Sequence, residues 1–143
     1  MQLVLQNGKE MPPFEIHYDV TFGDCDPAGI VFYPNIYKWL DRCCHDWLRL
    51  FGGHTQICQN YGSKGLGLME AQTKFLSPMT DGDSVRVQMQ VADWAAKSVV
   101  LSYAGFVGTR PTFTATERRA LLIETDKGMK AGNMDGLKRL VSA

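Results

Sequence analysis

Between Pro34 and Phe51 apolar side chains recur every three or four residues, at Ile36, Trp39, Leu40, Cys43, Cys44, Trp47, Leu48 and Phe51. That is the period of an amphipathic helix. Lys38, Asp41, Arg42 and Arg49 fall on the remaining arc. Pro34 suits a first helical turn, where its missing N–H costs nothing. Gly52-Gly53 is a strong stop. The apolar stripe is wide and carries two tryptophans. Such a helix needs a concave partner, and a curved sheet is the natural one.

The rest of the chain is strand-like. Phe14 to Phe22 alternates, with Phe14, Ile16, Tyr18, Val20 and Phe22 on one side and Glu15, His17, Asp19 and Thr21 on the other, as a half-buried strand does. Gly23 to Gly29 is turn-rich. Further strands are expected over Leu66–Leu76, Ser84–Trp94, Ser98–Val107 and Thr112–Glu124. They are separated by Ser77-Pro78 with Asp81-Gly82-Asp83, by Ala95 to Lys97, and by Gly108 to Pro111. His54 to Gly65 is irregular, with a short helical piece near Gln56 to Tyr61. The tail from Asp126 holds three glycines and is expected to be a loop with a frayed end. Short connections favour antiparallel neighbours, so the expected architecture is α+β, one curved antiparallel sheet wrapped around one long central helix. The 143 residues suit one domain over 14–143 behind a flexible leader, 1–13, that ends at Pro12-Pro13.

Composition removes several function classes. Lys and Arg number 15 and so do Asp and Glu, which gives no general attraction to nucleic acid or anionic lipid. No stretch is long and apolar enough to span a bilayer. Met1 to Pro13 carries Lys9 and Glu10 and lacks the apolar core of a secretory signal. Cys25, Cys43, Cys44 and Cys58 form no C-x-x-C pair, and no His spacing completes a zinc site. They read as reduced thiols in a cytoplasmic protein. G-x-S-x-G is absent, so no nucleophile elbow is present. A monomer this small leaves much apolar surface uncovered, which favours an oligomer.

The run Phe22-Gly23-Asp24-Cys25-Asp26-Pro27-Ala28-Gly29-Ile30-Val31-Phe32-Tyr33-Pro34-Asn35 resembles the signature of the 4-hydroxybenzoyl-CoA thioesterase family: aromatic-x-Asp-x-Asp-x-x-Gly, then an apolar-aromatic stretch leading into the long helix. The match extends to Trp39-Leu40-Asp41. Phe75-x-x-Pro78-x-x-x-Gly82-Asp83 is similar to a turn of that family. The resemblance implies a hotdog fold and a dimer or tetramer. It also implies hydrolysis of an acyl-CoA thioester without metal or dissociable cofactor. It places the catalytic carboxylate at Asp26 and an oxygen-binding backbone N–H at Tyr33. Lys97-Ser98 matches a Lys-Ser pair that contacts the nucleotide in relatives.

The residue types fit that chemistry. Hydrolysis needs charge stabilisation on the carbonyl oxygen and a nucleophile at the carbonyl carbon. The leading N–H groups of a helix lack internal partners and sit at the positive end of its dipole. Asp26 precedes the helix, and Gly29 lets the backbone fold back; the carboxylate can attack directly or act as a base on water. Asp24 reads as a loop former. His17, His45 and His54 read as structural or solvated, and Glu70 as a surface charge. Arg118, Arg119, Lys127 and Lys130 join Lys97 as candidate phosphate contacts. Trp39, Trp47, Phe32 and Met69 read first as packing groups. A non-catalytic hotdog protein that binds acyl-CoA or an acyl carrier is the alternative. A phosphatase built on Asp-x-Asp would need alternating helices and strands, and a hotdog dehydratase would need a His in the signature loop; neither is found.

Overall fold

The computed structural model of the chain describes residues 4–6, 9–11 and 13–142. Two short antiparallel strands, β1 (Val4–Gln6) and β2 (Lys9–Met11), lie within the segment expected to be a flexible leader. The main sheet takes β3 (Phe14–Asp19), β4 (Gly65–Phe75), β5 (Ser84–Trp94), β6 (Val99–Val107), β7 (Arg110–Thr125) and β8 (Gly128–Ala131). Its order is β3-β5-β6-β7-β4, and every pair is antiparallel. β8 pairs with the end of β7 beyond the reach of β6. The helices are α1 (Pro34–Arg49), α2 (His54–Tyr61) and α3 (Asp135–Ser142).

The expected stripe packs as read. Ile36, Trp39, Leu40, Cys43, Cys44, Trp47 and Leu48 of α1 are all buried. They meet the inward residues of the sheet, among them Ile16, Val85, Val87, Met89, Leu101, Tyr103, Phe113 and Leu121. Each fully buried side chain of this size contributes roughly 1.5–3 kcal/mol. Register explains one glycine. Gly105 lies between Val87 and Phe113 in adjacent strands, and a Cβ there would stand 2.1 Å from a carbon of the Phe113 ring. The missing side chain is what lets the ring fill the core.

Two expectations change. The alternating strand stops at Asp19, and Phe22 begins a 3-10 turn, Phe22–Asp24, with its ring 82% exposed. The tail is ordered rather than frayed. Beyond β8, the Met134 N–H donates to the Ala96 carbonyl at 2.9 Å, and Asn133 Oδ1 accepts from the Asp135 N–H at 2.8 Å. Met134, Leu137 and Val141 are buried. Tyr61 Oη donates to the Gly136 carbonyl at 3.0 Å, which ties α3 to α2. The glycines mask a helical apolar spacing that outweighs their flexibility.

Candidate active site

The signature segment folds as a small hairpin leading into α1. Asp24 fixes its first leg. The Asp24 carboxylate accepts the Thr21 N–H and hydroxyl, both at 2.9 Å, and the Tyr18 hydroxyl at 3.4 Å. Cys25 then bridges Val31, and the Asp26 N–H donates to the Ile30 carbonyl at 2.9 Å. At the turn the Gly29 N–H donates to the Asp26 carbonyl at 2.9 Å, with Gly29 at φ +79°. That conformation costs an L-residue with a Cβ about 1–2 kcal/mol, so the turn favours glycine. Asp26 Oδ1 accepts the Ala28 N–H at 2.9 Å. Among the described residues no hydrogen bond engages its second oxygen.

The return leg delivers the chain to the helix tip. The Val31 N–H donates to the Met79 carbonyl at 2.8 Å, and the Phe32 N–H to the Asp24 carbonyl at 2.9 Å. Tyr33 is the capping residue and Pro34 opens α1. The Asn35 N–H bonds the Phe32 carbonyl and the Ile36 N–H bonds the Tyr33 carbonyl. Among the described residues, no backbone carbonyl accepts the Tyr33 N–H. The first turn of α1 holds no acidic side chain, so nothing on the helix neutralises the positive end of its dipole. Phe32, Tyr33 and Phe75 make an exposed aromatic group beside the tip, with ring centroids 5.4 Å apart for Phe32 and Tyr33 and 6.3 Å for Tyr33 and Phe75.

The second sequence match is the platform under this hairpin. In the β4–β5 connection, Asp83 accepts the Thr80 N–H at 2.8 Å. Arg110 donates to the Ser77 hydroxyl and the Pro78 carbonyl, each at 2.7 Å. These bonds hold Met79, whose carbonyl receives Val31.

The single chain does not bring the cationic candidates to this place. Lys97 lies in the turn after β5, while the Asp26 hairpin packs against residues before β5. Eleven residues of strand separate them, roughly 35 Å at the usual rise. Lys97 is exposed, and Ser98 Oγ accepts from Arg118 at 3.0 Å. Beside that turn is a cleft of about 180 Å³ lined by Trp94, Ala95, Ala96, Met134, Asp135 and Lys138. Lys127 and Lys130 are exposed near β8. Glu70 is exposed and accepts from Gln72 at 3.0 Å.

Arg119 must be reassigned. It is 4% exposed and cannot meet a phosphate at a pocket mouth. Its guanidinium donates to Glu117 at 3.0 and 3.1 Å and to Asp41 of α1 at 3.1 Å. Burial works against its charge, but the bonded Glu117 carboxylate holds its pKa above the usual value. Tyr103 donates to the same carboxylate at 2.7 Å. Glu117 and Tyr103 escape a sequence reading because their type says nothing of the side they face. The signal available was alternation: Phe113 and Ala115 before them and Leu121 after put 117 and 119 on the inward face. Burial pushes the neighbouring Cys44 thiol up to about 12 and raises Cys43 as well, so neither is a nucleophile at neutral pH. His54 is structural: its Nε2 accepts the Leu66 N–H at 2.9 Å. His45 stands beside it, with ring centroids 5.0 Å apart, and lies 3.6 Å from Asp41. His17 is exposed and lies 3.3 Å from Glu15. Trp39 and Trp47 are core residues, whereas Phe32 and Met69 are exposed. Among the described residues, no group of three or more His, Cys, Asp or Glu is placed to hold a metal ion. No described helix is long and apolar enough to cross a membrane.

The chain is similar in sequence and fold to known proteins. Over 83 residues the chain is 30% identical to 4-hydroxybenzoyl-CoA thioesterase of Pseudomonas sp. strain CBS-3, covering 57% of this chain and 59% of that one. Over 70 residues it is 34% identical to 1,4-dihydroxy-2-naphthoyl-CoA hydrolase of Thermosynechococcus vestitus, covering 48% and 47%. The matches thus span about half to three fifths of the length of these relatives. The solved structure of the Pseudomonas enzyme superposes with a TM-score of 0.82 at 22% identity, covering 92% of this chain and 99% of that one. That of a gentisyl-coenzyme A thioesterase does so with 0.73 at 28% identity, covering 90% and 99%. The fold is the hotdog fold, a curled antiparallel sheet around a central helix. Residues 28–113, well over half the chain, match the family model itself, and the chain therefore belongs to the Thioesterase superfamily.

Proposed function

We propose that the chain hydrolyses an acyl-CoA thioester to the free acid and CoA, with Asp26 as nucleophile or general base and the Tyr33 N–H polarising the carbonyl. The observation that carries this reading is the folded signature itself. One short hairpin joins a carboxylate to a helix tip whose Tyr33 N–H has no backbone acceptor among the described residues. Asp26 spends one oxygen on the Ala28 N–H, which fixes the carboxylate while leaving the other oxygen to react. A donor aimed at a developing oxyanion is typically worth about 10²–10³ in rate. Gly29 allows the turn that brings the acid back.

An aromatic acyl group suits the site best. Phe32, Tyr33 and Phe75 are exposed side by side at the tip, and arenes gain from edge-to-face contacts with such rings. The relatives named above act on hydroxybenzoyl and dihydroxynaphthoyl thioesters, which supports the same class here. Lys97 and Ser98 serve the nucleotide end of CoA. Their separation from Asp26 within one chain is accommodated when a second copy contributes them, so the working unit is a homodimer or a tetramer. The catalytic unit is a single domain over residues 14–143. Four free cysteines fit a reducing, cytoplasmic setting.

The test is thiol release from a panel of aryl and alkyl CoA thioesters. Asp26→Asn should retain CoA-ester binding while losing on the order of 10²–10⁴ in turnover. Near-native turnover in that variant removes Asp26 from the mechanism. Tight binding without thiol release in the wild type would instead favour the acyl-CoA-binding alternative.

A further inference from the structure

We propose that Asn35 is a positioning residue for the reaction, clamping the carboxylate hairpin to the helix tip through the backbone of Asp24. The inference rests on the hydrolase reading above and names a residue that reading does not use. Asn35 is the second residue of α1, at a point of the helix where an acidic side chain would suit the dipole. It holds a neutral amide instead, and that amide turns back across eleven positions of sequence. Its Nδ2 donates to the Asp24 carbonyl at 2.8 Å.

That carbonyl also accepts the Phe32 N–H at 2.9 Å, so one oxygen gathers both legs of the hairpin and the first turn of the helix. Asp24 is anchored from its other side by Thr21 and Tyr18. Tyr18 in turn packs its ring 4.5 Å, centroid to centroid, from Trp39 one turn further along α1. The frame therefore closes: Asn35 to Asp24, Asp24 to Tyr18, Tyr18 to Trp39, and Trp39 to Asn35 along the helix. Asp26 is two residues from the clamped carbonyl and Tyr33 is two residues from Asn35. Without the Asn35 bond, among the described residues only Phe32 ties the Asp24 carbonyl to the segment that leads into the tip. The first leg of the hairpin, from Asp24 to Asp26, is then held less closely to the Tyr33 N–H, while Val31 stays bonded to Met79 and the core beneath stays packed. Neutral Asn35 does this without adding negative charge where the oxyanion forms.

The consequence is kinetic. A misplacement of about 1 Å can cost on the order of 10²-fold in rate, so Asn35→Leu, which keeps the branched shape and removes the donor, should lower kcat about tenfold or more. KM should change less than about threefold, since the Asn35 amide is engaged by the Asp24 carbonyl. A double-mutant cycle with Asp26→Asn separates positioning from general damage. If Asn35 acts by aiming Asp26, Asn35→Leu costs less than about threefold in the Asp26→Asn background. Asn35→Ser, whose hydroxyl is too short to span the gap, serves as a second variant should Asn35→Leu fail to fold. The assay is hydrolysis of 4-hydroxybenzoyl-CoA and of the most active ester of the panel, with melting temperature recorded alongside. An active wild type whose Asn35 variants keep kcat within twofold overturns the clamp alone. So does an equal loss in both backgrounds. A wild type silent on the whole panel overturns the hydrolase reading, and the positioning role with it.

Discussion

His54 shows how one hydrogen bond sets a protonation state. Its Nε2 accepts the Leu66 N–H at 2.9 Å, which only the unprotonated nitrogen can do. Burial lowers its pKa from the ordinary 6.5, and His45 and Arg119 add to the effect while Asp41 opposes it. Because the folded value lies below the unfolded one, the unfolded chain binds the proton more readily. The stability this group leaves intact above the unfolded value of 6.5 is lost as pH falls through it. The urea midpoint should therefore drop between about pH 7.5 and pH 5.5. His54→Gln keeps an acceptor for Leu66 and cannot titrate, so the drop should be shallower. Equal slopes for the two proteins would show that His54 is not the group responsible. The same scale separates the two aspartates of the signature. Asp24 has both oxygens committed to Thr21 and Tyr18, whereas Asp26 has one committed to Ala28. Turn chemistry marks Asp24 as a loop former and the resemblance marks Asp26 as the reacting carboxylate; the proposed difference fits these bonds.

At the scale of elements, β7 carries the only buried charges among the described residues, and their cost is instructive. Glu117 and Arg119 are two apart on the strand, face α1, and are 2% and 4% exposed. Arg119→Leu would leave the Glu117 carboxylate buried with Tyr103 alone, and breaking such a pair costs about 3–5 kcal/mol. Replacing both with leucine removes the stranded charge and should cost clearly less than the single change, as read from urea unfolding of the two variants. A double variant as unstable as the single would mean the charges themselves hold α1 to the sheet. This network also marks where the sequence stops being legible. The bounds of β5 read from alternation are the observed Ser84–Trp94, and the α1 stripe is the buried one, because apolar period reports burial directly. A charged pair on the inner face breaks that period, and Arg119 reads as a surface group until its partners Glu117 and Tyr103 are seen. The tail fails for the opposite reason. Gly128, Gly132 and Gly136 speak for a loop, while Met134, Leu137 and Val141 keep a helical spacing that tertiary contacts with the Trp94–Ala96 turn and Tyr61 make decisive.

For the whole molecule the decisive feature is the β4 edge of the sheet, the longer of its two edge strands. β4 runs eleven residues and, among the described residues, pairs only with β7, leaving a row of backbone groups of the kind that recruits another strand. It is not blunted by short length. Its side chains include Leu68 at 52% and Met69 at 56% exposure, with Phe75 at its end at 57%. Phe75 also touches Tyr33, so whatever covers β4 extends over the helix tip. The tip of one chain is an open surface, and the cleft at Trp94–Lys138 lies at the other end of β5. An oxyanion donor is worth most where water is excluded, so the proposed chemistry needs that surface closed. On the proposed reading a second copy is the covering, and it would also bring Lys97 and Ser98 within reach of another chain's Asp26. Light scattering should give at least twice the 16.0 kDa chain mass. Met69 is the extra residue where the β4–β7 register shifts, between Leu68 and Glu70, and Met69→Lys places a charge on the edge without touching the core. That variant should dissociate at lower dilution than the wild type and lose thioesterase activity in step with dissociation. Raising its concentration should restore both by mass action. A wild type that stays monomeric and hydrolyses thioesters at full rate would separate catalysis from the second copy and return the whole site to one chain.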